Sequence, residues 1–201
     1  MKTIFRTLIL VSALLVAGIS NAQEPAKLYG IKSGHLKFET QTSGGTQYNE
    51  VWFDDYGRLR KQHDQIQMEG LGNYHTEILY RDGKMYSNAW FDNEKKDEAK
   101  MSEGPAADAP NFLEMTEEFM KKNKIEILGT EDIMGRTCTI YTYKQKSLLR
   151  TVTRKDWIWQ GIVLRMETKG ALGANNTMVL KEFTENPQLP ASTFDLPATI
   201  K

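Results

Sequence analysis

One cysteine in 201 residues, Cys138, leaves the chain without an intramolecular disulfide and without the raw material for a cysteine-based metal site. Its three histidines, His35, His63 and His75, never recur at the helical or strand spacing of a metal-ligand pair, so each reads as an isolated surface residue. Charge of one sign is missing too. The 26 basic residues balance the 26 acidic ones, which gives no electrostatic footprint for nucleic acid or for an anionic membrane surface. Glycine-rich phosphate loops, nucleophile elbows and zinc helices are all lacking, and the carboxylates are scattered as on solvated faces. The adjacent His63 and Asp64 would point to opposite faces of a strand, which excludes a base and its orienter. Asp92-Asn93-Glu94 lacks the spacing of a calcium loop. The expectation is a protein that is not an enzyme, has no cofactor and no metal, and does not bind nucleic acid.

What is present begins with an export signal. Lys2 and Arg6 make a positive start, Leu8 to Ile19 carry no charge, and Ser20-Asn21-Ala22 offers small residues to a signal peptidase, so cleavage is expected before Gln23. The apolar stretch is shorter than the roughly 20 residues a bilayer core requires, and no later stretch reaches that length, so a membrane-spanning chain is not expected. No cysteine follows the stretch to carry a lipid anchor. Residues 1–22 are therefore read as a signal peptide and residues 23–201 as one domain, periplasmic or secreted and unanchored. Removing Lys2 and Arg6 leaves 24 basic residues against 26 acidic ones.

The remainder is mostly short runs of β-branched and aromatic residues between turn signals. His35–Thr42 alternates, with Leu36 and Phe38 opposite Lys37 and Glu39, before Ser43-Gly44-Gly45 turns the chain. Strands are expected next at Thr46–Asp54, Arg58–Gln65, Tyr74–Tyr80 and Lys84–Phe91. Asp82-Gly83 suits the positive φ of a tight hairpin turn between the last two. Asp92–Pro110, charged and then proline-bearing, reads as a long solvated loop. From Asn111 the period becomes helical, with Phe112, Met115 and Phe119 on one stripe and Leu113 and Met120 beside it. Early glutamates and late lysines match the helix dipole up to Asn123. Strands resume at Lys124–Leu128, Thr137–Lys144, Leu148–Thr153, Trp157–Thr168 and Thr177–Thr184. About ten strands and one helix predict a mainly β fold, a curled antiparallel sheet forming an open half-barrel with the helix against its concave face.

Three later stretches carry a family resemblance. Ile127-Leu128-Gly129-Thr130-Glu131-Asp132-Ile133-Met134-Gly135-Arg136-Thr137-Cys138 is a strand, a link and a new strand. Trp157-Ile158-Trp159-Gln160-Gly161-Ile162-Val163-Leu164-Arg165-Met166-Glu167 is a tryptophan-rich hairpin, and Asn186 to Pro197 is a proline-punctuated ending. In this order they resemble the superfamily of periplasmic lipoprotein carriers and outer-membrane acceptors, especially its uncharacterised exported bacterial domains. The resemblance implies a half-open barrel whose apolar concave side is covered by helices and, in the carriers, holds lipoprotein acyl chains. It also implies a second possibility, an envelope protein-interaction or stress-sensing module on the same fold. The chain departs from the carriers in having only a short segment before its first strand.

The residues themselves leave two readings open. Trp52, Trp90, Trp157 and Trp159, with nine methionines in the chain, suit a cavity for a flexible apolar ligand, and suit ordinary core packing as well. Phe119 and Met120 on the helix are either core or part of a moving cover. The candidate ligand-binding set is thus Trp52, Trp90, Trp157, Trp159, Phe119 and Met120, with a lipid or lipoprotein acyl chain as ligand or an envelope protein as partner. Cys138 alternates with Ile140, opposite Thr137, Thr139 and Tyr141, and is expected to be buried.

Overall fold

The computed structural model describes residues 26–42, 45–70, 72–94, 102–105, 110–146, 151–170 and 175–196; the expected signal peptide lies outside them. One antiparallel sheet dominates. Its first half is a meander of β1 (Gly34–Thr42), β2 (Gly45–Asp54), β3 (Leu59–Met68), β4 (Gly72–Arg81), β5 (Lys84–Phe91) and the short β6 (Ser102–Pro105). The second half is β7 (Glu126–Ile133), β8 (Arg136–Lys146), β9 (Thr151–Trp159), β10 (Ile162–Lys169) and β11 (Asn175–Glu185). The strand order is β6-β5-β4-β3-β2-β1-β11-β10-β9-β8-β7. β1 pairs with both β2 and β11, so the two meanders are joined at the middle of an open sheet with β6 and β7 as its edges.

This topology places the helix. The chain leaves the sheet at one edge, β6, and re-enters at the other, β7, so the segment between them must run from edge to edge. That segment carries α1 (Glu117–Asn123). Thr116 caps it, accepting a hydrogen bond from the Phe119 amide, and Lys124 ends it in the left-handed region with φ 54°.

The expected open antiparallel sheet with a single helix is observed, with local differences. The helix expected over Asn111–Asn123 divides into a 3-10 turn (Phe112–Glu114) and α1, because Met115 adopts extended backbone between them. The expected loop Asp92–Pro110 contains β6, which pairs with β5 from Lys84 to Ser87. The strand expected over Leu148–Thr153 is described only from Thr151, where β9 begins and runs on to Trp159, and the stretch Trp157–Thr168 is not one strand but turns at Gln160-Gly161, both with positive φ, as the hairpin of the family resemblance does. β7 continues past Leu128 to Ile133, with a register shift between Ile127 and Gly129.

The main core joins the two halves: Leu36, Phe38 and Phe53 of the first meander cluster with Cys138, Ile140, Trp157, Ile162, Leu164 and Leu180 of the second. The Phe53 ring covers Gly34, where a Cβ would collide with it. At the β9–β10 turn Gly161 has φ 79°, and a Cβ there would strike the Leu28 carbonyl oxygen. Gly161→Ala should therefore combine backbone strain with a steric clash, and a loss of about 1–3 kcal/mol is expected in urea denaturation. Wild-type stability in that variant would refute the argument.

Cys138 is fully buried, as its alternation predicted. Burial, with Asp132 nearby as the next cause, pushes its thiol up to about 11. The sign follows: a raised acid pKa favours the neutral thiol in the folded chain, and that contribution is lost only as pH rises through the folded value. Native protein at neutral pH should react with a thiol reagent much more slowly than urea-unfolded protein, and equal rates would contradict this.

Candidate ligand-binding site

The candidate residues fall into separate neighbourhoods. Trp157 is 1% exposed, and its indole Nε1 donates to Glu131 Oε2 at 2.6 Å. Lys155 Nζ and the Arg165 guanidinium each lie 4.4 Å from its ring. Trp159 is half-buried against the same core, edge-on to Phe183 with Arg136 over both rings. Trp52 packs instead on a second cluster formed by Leu79, Tyr86 and Phe194, and stacks on His35. Trp90 is buried and stacks on His63 and His75. Thus Trp157 and Trp159 share one core while Trp52 and Trp90 stand on the other meander. On α1, Phe119 is 40% exposed and Met120 half-buried, and the helix buries no residue.

Where α1 hands over to β7 the surface is apolar. Ile127 and Leu128 are each 54% exposed, and Leu113 in the preceding turn is 36% exposed. The segment is held by Phe112, whose ring lies 5.3 Å from that of Tyr141, and by Asn111 Nδ2 donating to the Lys27 carbonyl.

Three polar groupings were not legible in the sequence. The unshifted registers of β2 to β5 bring His63 and His75 together: His63 Nε2 lies 3.1 Å from His75 Nδ1, and His75 Nε2 lies 2.7 Å from Asp92 Oδ1. The His75 hydrogen bond holds the Asp92 carboxyl below its usual range, helped by the Asn73 amide. His35 pairs with Glu50 at 2.6 Å. So the histidines are not isolated, although no group of three or more metal-ligating side chains that could hold an ion occurs among the described residues. The second grouping is at β8 and β9, where fully buried Asp156 accepts from Arg154 Nε at 2.8 Å and from the Tyr143 hydroxyl at 2.7 Å. Burial raises both the Asp156 carboxyl and the Tyr143 phenol. The third is a cleft of about 980 Å³ at one end of the first meander, lined by Leu28, Arg58, Arg60, Tyr80, Arg81 and Phe194 among others. A smaller polar cleft of about 270 Å³ includes Lys37, Glu50, His63 and Lys181. Neither is lined by the four tryptophans.

No protein-family model matches the chain, and no curated protein matches it. Solved structures do. An uncharacterised conserved protein from Thermus thermophilus superposes with TM-score 0.50 at 9% identity, over 83% of this chain and 86% of that one. A chain of the MucA/MucB complex of Pseudomonas aeruginosa gives 0.49 at 11% identity over 83% of this chain, which spans 56% of that chain's length. LprF from Mycobacterium bovis gives 0.40 at 15% identity, over 85% and 91%. The likeness is one of fold: the open antiparallel sheet that the carrier-and-acceptor resemblance implies is the sheet observed. Among the described residues no helix is long and apolar enough to cross a membrane.

Proposed function

We infer that the protein is an exported, non-enzymatic binding protein of the bacterial cell envelope that receives an apolar group, a lipid or a lipoprotein acyl chain, at the open side of its sheet. One observation carries this reading. The only α-helix among the described residues lies on the segment linking the two unpaired edges, buries none of its residues, and leaves Phe119 exposed a short way along the chain from exposed Ile127 and Leu128. A helix with so little buried surface is easily displaced, and the apolar side chains it leaves in water gain by contact with an alkyl chain, about 0.8 kcal/mol per methylene buried. Trp157 and Trp159 stand at the core that joins the two halves, and Met120 is half-buried on α1. Trp52 and Trp90 would report on the other half of the sheet.

The test is native mass spectrometry and lipid extraction on protein from its own host, with tryptophan fluorescence followed during addition of fatty acid or lipopeptide. Copurifying lipid and a saturable fluorescence change, both weakened in Phe119→Ser, are expected. Absence of both sinks the reading.

A second reading, an envelope protein-interaction or stress-sensing module, is favoured by a different feature. β7 is an edge strand with Glu126 to Asp132 all exposed, so a partner strand has main-chain groups to pair with. An envelope protein crosslinked through β7 in cells, with no lipid bound, would select it.

A further inference from the structure

The cleft at the end of the first meander contains a cation without a counter-ion among the described residues. Arg60 of β3 is half-buried, with its guanidinium 4.2 Å above the Tyr80 ring. Its Nε is buried and has no hydrogen-bond partner among the described residues, and its Nη1 makes only a long contact to the Tyr29 hydroxyl at 3.5 Å. Its neighbours differ. Arg58 is bound to Asp55 at 3.2 Å, and Arg81 pairs with Asp82 at 3.2 Å while donating to the Phe194 carbonyl. Asp55 and Asp82 are thus paired with other arginines, Asp54, on the opposite face of β2 from the residue paired with Arg60, accepts from the Asp55 amide, and Asp195, which also lines the cleft, makes no ion pair with Arg60. A guanidinium over an aromatic ring still carries N–H donors along its edge, and two of them can take an oxyanion in parallel hydrogen bonds. An unsatisfied buried donor is costly, so its persistence calls for an explanation.

We propose that this cleft is an oxyanion-binding site in which Arg60 takes a phosphate group of a ligand, with Tyr80 as its platform. Arg81, the last residue of β4, also lines the cleft, and the wall formed by Leu28, Leu189 and Phe194 admits an apolar continuation of the ligand. The site lies on the first meander and does not rest on acyl-chain binding beneath α1.

The experiment is calorimetric titration of the full chain, at fixed ionic strength, with inorganic phosphate, with dihexanoyl phosphatidic acid and with dihexanoyl phosphatidylcholine. Phosphate or phosphatidic acid should bind saturably. Arg60→Met should weaken the binding at least tenfold, and Arg60→Lys should restore part of it by keeping the charge without the fork. Equal affinity for phosphate and phosphatidic acid identifies a free small anion as ligand; tenfold preference for phosphatidic acid over both other probes identifies a lipid headgroup. Failure of both anions to bind overturns the proposal, as does binding that Arg60→Met leaves unchanged or that phosphatidylcholine matches. Melting curves of Arg60→Met, with Arg60→Gln as the alternative should it fold poorly, keep loss of binding separate from loss of fold.

Discussion

Trp157→Ala is expected to lower the unfolding free energy by about 3–5 kcal/mol, enough to unfold a domain of ordinary marginal stability at growth temperature. Trp157 is the largest of the fully buried side chains, and it sits where the two meanders meet, in one cluster with Leu36, Phe38 and Phe53 from the first and Cys138, Ile140 and Leu164 from the second. Truncation would open a cavity walled by paired strands, which cannot collapse to fill it without breaking the ladders on both sides of β9. The substitution also leaves Glu131 without its indole donor, and Glu131 is nearly half exposed, so that loss is softened by water. Trp157→Phe separates the two effects: it keeps much of the packing and removes the donor, and should cost clearly less than Trp157→Ala. Equal losses in the two variants would mean that the hydrogen bond, not the volume, holds this position. Urea denaturation followed by circular dichroism measures both.

How far the sequence disclosed the fold depends on the range of the interaction that decides each element. β1 alternates with period two, and Gly34, Leu36, Phe38 and Thr40 are its buried positions, because one face of a strand is settled by local pattern. The turns at Asp82-Gly83, Met134-Gly135 and Gln160-Gly161 are local as well, each a pair with positive φ. The sequence pattern ends β7 at Leu128, because Gly129-Thr130-Glu131-Asp132 reads as a polar link. An edge strand pairs on one side only and needs no apolar alternation, and its register shift beside Gly129 removes what pattern there was. Pairing of β1 with β11 spans the whole domain and leaves no mark in any window. The same range limit hid the site chemistry. His63 and His75 are twelve residues apart and touch only because β3 and β4 are in register, and Arg60 meets Tyr80 by the same pairing. The four tryptophans were visible as an inventory; their division between the two meanders was not.

Asp156→Ala is expected to cost about 3 kcal/mol, the lower end for breaking a buried ion pair, since Arg154 keeps 21% of its side chain in water and can turn outward while the Tyr143 hydroxyl loses its acceptor. Asp156→Asn should cost less, because the amide retains the shape and one acceptor oxygen and is not charged. The pH dependence distinguishes the charge from the shape. Burial raises the Asp156 carboxyl more than Arg154 and Tyr143 lower it, so the folded chain binds this proton more tightly than the unfolded chain does. A raised folded value contributes stability that is complete below the ordinary carboxylate range and is lost as pH rises through the folded value. Asparagine does not titrate here, and the remaining groups are common to both proteins, so they cancel in the difference. The stability of the native chain relative to Asp156→Asn should therefore increase as pH is lowered from 7 towards about 4. A difference that stays constant, or that shrinks on acidification, would show that Arg154 holds the carboxylate charged and that the ion pair outweighs its burial.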